Sequence, residues 1–157
     1  MKFLFVCTGN TCRSPMAEMY FNYKVGQDSL HYASSAGILA YDGSPLSDNA
    51  KKVLCHFHIP FNQFFKSRSI KQEDMRNNHY ILTMEEYQSQ LLKNQFVSCS
   101  KKISLLSHMI DKNDDVTDPF PHDMENYMKT FEQIKEYIDL FINKLSSVQR
   151  TSHERTL

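Results

Sequence analysis

The order of apolar and polar positions sorts the chain into strands and helices. Phe3-Leu4-Phe5-Val6 is an unbroken apolar run of strand length, as expected of a strand buried on both faces. A polar loop, residues 7–14, follows it at once. From Ser14 to about Lys24, Met16, Met19, Tyr20 and Tyr23 recur at helical spacing, and Gly26 ends the run. Leu30, Tyr32 and Ser34 alternate with His31 and Ala33, which predicts a second strand over 30–35, turned by Ser35-Ala36-Gly37. Ser47 is placed to cap a helix whose buried stripe is Ala50, Val53, Leu54 and Phe57, closed by Pro60. Ser69 is placed to cap a short helix through about Arg76. Residues 79–83 read as the third strand, 84–93 as the next helix and 101–106 as the fourth strand. Asp123 caps a long final helix, with Tyr127, Phe131, Ile134, Ile138, Phe141 and Leu145 on its buried side. Periodicity is lost over 146–157, where a frayed tail is expected.

Strands alternating with helices predict an α/β fold. The expected form is a single three-layer domain over 1–145: a four-stranded parallel sheet with helices on both faces, in flavodoxin-like order. A length of 157 residues suits one core, and no internal repeat or composition break divides it. Formal net charge is zero and no basic run occurs, so neither a nucleic-acid nor a membrane partner is expected. No apolar run approaches the ~20 residues of a membrane span. The apolar start is too short for a signal peptide, which predicts a cytoplasmic protein. The cysteines at 7, 12, 55 and 99 form neither a secreted disulfide framework nor a Cys-x2-Cys metal site. His56 and His58, two apart at a helix end, do not share a face. No metal and no cofactor are expected.

The chemistry is concentrated in Cys7-Thr8-Gly9-Asn10-Thr11-Cys12-Arg13-Ser14-Pro15. A loop between a buried strand and a helix start turns backbone N–H groups and the helix dipole toward one spot, which suits an anion. Cys7 lies at the mouth of that spot, and a thiol is a useful nucleophile only as thiolate. Loop amides, Arg13 and the Ser14 hydroxyl are expected to favour that form. Arg13 offers a planar fork matching two phosphoryl oxygens. Gly9 is expected to supply unusual backbone angles, and Asn10 to hold a left-handed turn and lock the loop through its side chain. Further on, Pro119 confines Asp118 to extended backbone and so fixes its carboxylate.

The segment from Cys7 to Pro15, with Met16-Ala17-Glu18, resembles the signature loop of the low molecular weight protein tyrosine phosphatases. Ser35-Ala36-Gly37, Ile81-Leu82-Thr83-Met84 and Asp118-Pro119-Phe120 extend the resemblance, in the family's order, over nearly the whole chain. It implies a cysteine-dependent protein phosphatase acting on phosphotyrosine, with phosphorylated proteins as substrates and inorganic phosphate as product. It implies catalytic roles for Cys7, Arg13 and Asp118, and phosphate binding by Thr8, Gly9, Asn10, Thr11, Cys12 and Ser14. Tyr41 and Phe120 would wall the pocket, Ser35 would support the loop through Asn10, and residues 84–86 would border the site. Members with both cysteines form a reversible disulfide, here between Cys7 and Cys12. Phe65 stands where the family often carries a loop-supporting histidine.

Three other readings share the loop. Thr11 occupies a place that is usually aliphatic in the tyrosine phosphatases, and with Asp118-Pro119-Phe120 it resembles the protein arginine phosphatases. An arsenate reductase needs two further paired cysteines, which Cys55 and Cys99 do not supply. A non-catalytic phosphate-binding module is disfavoured by the intact Cys7, Arg13 and Asp118.

Overall fold

The computed structural model describes residues 1–27 and 29–154, with side chains through Ser147. Its sheet consists of β1 (Lys2–Cys7), β2 (Tyr32–Gly37), β3 (Tyr80–Thr83) and β4 (Ile103–Leu105), all parallel, in the order β2-β1-β3-β4. The helices are α1 (Arg13–Val25), α2 (Asp48–His56), α3 (Gln72–Asn77), α4 (Glu86–Gln95) and α5 (Met124–Glu154). The expected three-layer arrangement is present, because the apolar run of β1 is divided between two cores. Phe3, Phe5 and Cys7 face α1, α2 and α5, whereas Leu4 and Val6 face Met75 of α3 and Leu92 of α4. Phe3 meets Phe21 and Phe141 edge to face at centroid distances of 5.3 and 5.2 Å, which fastens α1 and α5 to the central strand.

Several local expectations shift. The second strand begins at Tyr32, not Leu30, and includes Ser35-Ala36-Gly37 as ladder rather than turn, with Val6 opposite Ala36 and Cys7 opposite Gly37. Leu30 is 87% exposed; it attracted the strand assignment by hydrophobicity alone. Tyr23 also faces outward, while Met16, Met19 and Tyr20 are buried as expected. Ser47 caps α2 through a hydrogen bond from Ala50 N to its Oγ. Ser69 caps nothing: it bridges to Gly37 and donates to Asp42, while the Lys71 N–H bonds to Asp74 at the start of α3. Asp123 caps α5, accepting from Asn126 N. Tyr137 joins the buried stripe of α5. α5 continues through Ser146 and Ser147, whose hydroxyls bond the Ile142 and Lys144 carbonyls; the end of the tail expected to fray, residues 155–157, lies outside the described residues.

Candidate active site

β1 ends at Cys7 and α1 begins at Arg13, so the loop 8–12 has both ends fixed in regular structure. Backbone bonds tie its outer side down: Ile38 N to Cys7 O, Leu39 N to Thr8 O and Ser47 N to Thr11 O, at 3.0, 3.0 and 2.9 Å. Gly37 makes this close approach possible. A Cβ there would stand 2.6 Å from Thr8 O and 2.9 Å from the Ala40 Cβ, so no side chain fits without moving the loop.

The left-handed residue of the loop is Asn10, at φ 54, and not Gly9, where an added Cβ would meet only ordinary contacts. Asn10 is fully buried and its amide is used completely. Nδ2 donates to Ser14 Oγ at 3.0 Å and to Ser35 Oγ at 2.9 Å, while Oδ1 accepts from Arg68 N at 3.0 Å. Ser35 in turn donates to Glu18 Oε2. Cys7 Sγ accepts from Asn10 N at 3.3 Å and lies 3.0 Å from Ser14 Oγ, a set of donors around one sulfur. Ser35 hydrogen-bonds Asn10, where loop support was expected, whereas Phe65 lines a separate cavity together with Glu18.

Arg13 is 3% exposed, which makes its partners decisive. Its guanidinium pairs with Glu85 just after β3, meets Asp118 Oδ2 at 3.1 Å, and donates to Val116 O at 3.0 Å. Burial acts against the charge, but Glu85, Cys7 and Asp118 outweigh it and raise the guanidinium pKa. Asp118 Oδ1 accepts from Phe120 N at 3.1 Å, closing a local turn across Pro119. The segment before it is stitched to α5 by Thr117 N to Gln133 Oε1 and Thr130 Oγ1 to Thr117 O.

These residues line a cavity of about 370 Å³, a volume suited to one phosphorylated side chain. Cys7, Thr8, Gly9, Thr11, Cys12, Arg13, Asp118 and Phe120 all contribute to its wall. Tyr41 does not; it is 85% exposed, with its carbonyl accepting from Ser44 and Ser67. Ser47 and Tyr127, unforeseen in the sequence, complete the lining. Two more residues act from outside it: Tyr87 Oη and Gln88 Nε2 hold Thr8 Oγ1 at 2.7 and 3.2 Å. Burial, and next the Cys7 sulfur, push the Cys12 thiol far above its ordinary pKa. Among the described residues, no cluster of three or more His, Cys, Asp or Glu is arranged to hold a metal, and no helix is long and apolar enough to cross a membrane.

Comparison with known proteins agrees with this geometry. The model of the low molecular weight phosphotyrosine protein phosphatases matches residues 2–152. A protein-arginine-phosphatase of Bacillus subtilis is 30% identical over 96% of this chain and 100% of its own. A low molecular weight protein-tyrosine-phosphatase of Staphylococcus haemolyticus is 34% identical over 85% of this chain and 92% of its own. Among solved structures, an arginine phosphatase from Geobacillus stearothermophilus superposes with a TM-score of 0.89 at 30% identity, over 96% of each chain. A cysteine-to-serine mutant of an arginine phosphatase, carrying a phosphorylated active-site serine, gives 0.89 at 30% identity over 96% of this chain and 99% of that one. The chain belongs to the low molecular weight phosphotyrosine protein phosphatase family.

Proposed function

We propose that the protein is a cysteine-dependent protein phosphatase that hydrolyses phosphotyrosine through a cysteinyl-phosphate intermediate. One observation carries this reading: the Cys7 sulfur, in contact with the Asn10 N–H and the Ser14 hydroxyl, opens into the same cavity as Arg13 and Asp118. A phosphoryl group seated there has its oxygens on the loop amides and the Arg13 fork. Cys7 attacks phosphorus as thiolate, the bond to the leaving oxygen breaks, and Asp118 gives that oxygen a proton. Water then attacks the cysteinyl-phosphate, Asp118 takes its proton, and inorganic phosphate leaves with Cys7 restored. The transition state is loose, so placement and charge stabilisation supply most of the rate. The relative trapped with a phosphorylated active-site serine supports such a covalent step. Phosphorylated proteins of the cytoplasm are the expected partners.

Phosphoarginine is the second reading, favoured by Thr11 in the cavity wall and by relatives named as arginine phosphatases. Arsenate reduction is poorly served: Cys55 is exposed on α2, and Cys99 packs on the opposite face of the sheet. The test is side-by-side kcat/KM on phosphotyrosine and phosphoarginine, with Cys7→Ser as control. Turnover of phosphotyrosine that vanishes in Cys7→Ser is expected. Activity confined to phosphoarginine transfers the assignment to the second reading, and activity retained in Cys7→Ser overturns both.

A further inference from the structure

A second cavity, of about 450 Å³, lies along α1 beyond the phosphate loop. Its walls are Met19 and Tyr23 of α1 and Phe61, Asn62 and Phe65 from the stretch after α2. Glu18 is the only charged side chain among the described residues that line it. Its Oε2 accepts from Ser35. The nearest cation with influence, Arg68, has its guanidinium committed to both oxygens of Asp74, at 3.0 and 2.9 Å. A carboxylate in an aromatic-walled cleft without a counter-cation attracts an organic cation, by Coulomb force and by contact with ring faces. Burial raises the Glu18 pKa, with Ser35 and Arg68 opposing.

Glu18 is also wired to the chemistry. Ser35 holds Asn10, and Asn10 holds both Ser14 and, through its backbone N–H, Cys7. We propose that this cavity is a second ligand site, taking a small aryl-alkyl cation against Glu18, and that its occupancy is felt at Cys7 through Ser35, Asn10 and Ser14. An ammonium on Glu18 weakens the carboxylate as an acceptor for the Ser35 hydroxyl, and a shift of Ser35 Oγ is felt in the hydrogen bond it accepts from Asn10 Nδ2. The ligand is therefore an inhibitor that lowers kcat without competing for the phosphate loop.

Benzylammonium is the probe and benzyl alcohol the neutral control. Titration followed by backbone amide NMR is expected to shift Met19, Gly26 and Asn62 saturably with the cation and not with the alcohol. Tyr23→Ala, at a half-exposed position, removes one ring and weakens binding about threefold, while Glu18→Gln removes the charge and weakens it about tenfold. The binding arm stands apart from catalysis; the second arm measures aryl phosphate turnover, where saturating cation lowers kcat at unchanged KM. Shifts confined to Thr11 and Phe120, equal binding of the alcohol, or an affinity indifferent to Tyr23→Ala overturns the site. Saturable binding with unchanged kcat overturns the coupling.

Discussion

Asp118 Oδ2 lies 3.1 Å from Arg13 Nη2, so the proposed proton donor and the proposed phosphoryl anchor are joined to each other. A substrate has to part them. In the proposed mechanism its phosphoryl oxygens replace Asp118 on the Arg13 fork, and the carboxyl is freed to turn toward the leaving atom.

Asp118→Asn therefore has two separable effects. Loss of the acid slows hydrolysis of esters with poor leaving groups by ~10²–10⁴-fold and spares activated aryl phosphates more. Loss of a negative charge beside the anion site strengthens inhibition by inorganic phosphate. Steady-state rates on a leaving-group series and phosphate inhibition constants measure the two. Equal slowing across the series removes Asp118 from the acid role.

Thr11→Ile tests substrate choice. Thr11 lines the cavity beside Cys7, and exchanging its hydroxyl for an aliphatic branch is worth ~1–3 kcal/mol of discrimination, enough to shift a preference without abolishing either activity. Phosphoarginine turnover should fall while phosphotyrosine turnover holds or rises. An unchanged ratio of the two kcat/KM values means Thr11 is not the selector.

Cys12 shares the cavity with Cys7 and stays a thiol, its pKa driven up by burial and by Cys7. Peroxide should oxidise the Cys7 thiolate to the sulfenic acid, and the Cys12 thiol should condense with it, releasing water and forming the disulfide. Activity lost to mild peroxide then returns with a thiol reductant, and Cys12→Ser recovers less. A mass spectrum of the inactivated enzyme without a Cys7–Cys12 link removes the protective role.

Tyr20 of α1 donates to Asp139 of α5 at 2.7 Å, and Lys135 and Lys24 reach the same carboxylate at 3.2 and 3.3 Å. Burial opposes the Asp139 charge, but these partners win and hold its pKa below the ordinary carboxylate value. The resulting stability is present above the usual carboxylate pKa of ~4 and disappears as pH falls through the lower folded value. Tyr20→Phe should cost ~1 kcal/mol at neutral pH, a fall of ~2–4 °C in Tm. The gap between variant and parent should close in acid; a gap independent of pH would assign the loss to packing.

What the sequence disclosed was local. The run from Phe3 to Pro15 carries strand, loop and helix start in contiguous residues, so Cys7, Arg13 and the Asn10 turn are readable from spacing and residue type. The same holds for the Ser47 and Asp123 caps. Glu85 on Arg13, and Tyr87 with Gln88 on Thr8, bridge 72 to 80 residues and depend on β3 lying beside β1, which no local pattern encodes. The second strand was misplaced because its ladder is built from small residues, Ala33 to Gly37, whose fit is steric rather than hydrophobic. Tyr41 was placed by its distance from Ser35-Ala36-Gly37, and a loop's path is not fixed by such counting.

The proposed nucleophile hangs from β1, which has β2 on one side, β3 on the other, and a packed core against each face. Central strands of this kind exchange their amide hydrogens only when the whole domain opens, whereas surface loops exchange through local fluctuations. Cys7 therefore belongs to the last part of the molecule to come apart. On warming, the Cys7 end of the site should persist to the cooperative melt, so any turnover lost at lower temperature would be lost in the exposed segment that carries Asp118 and Phe120.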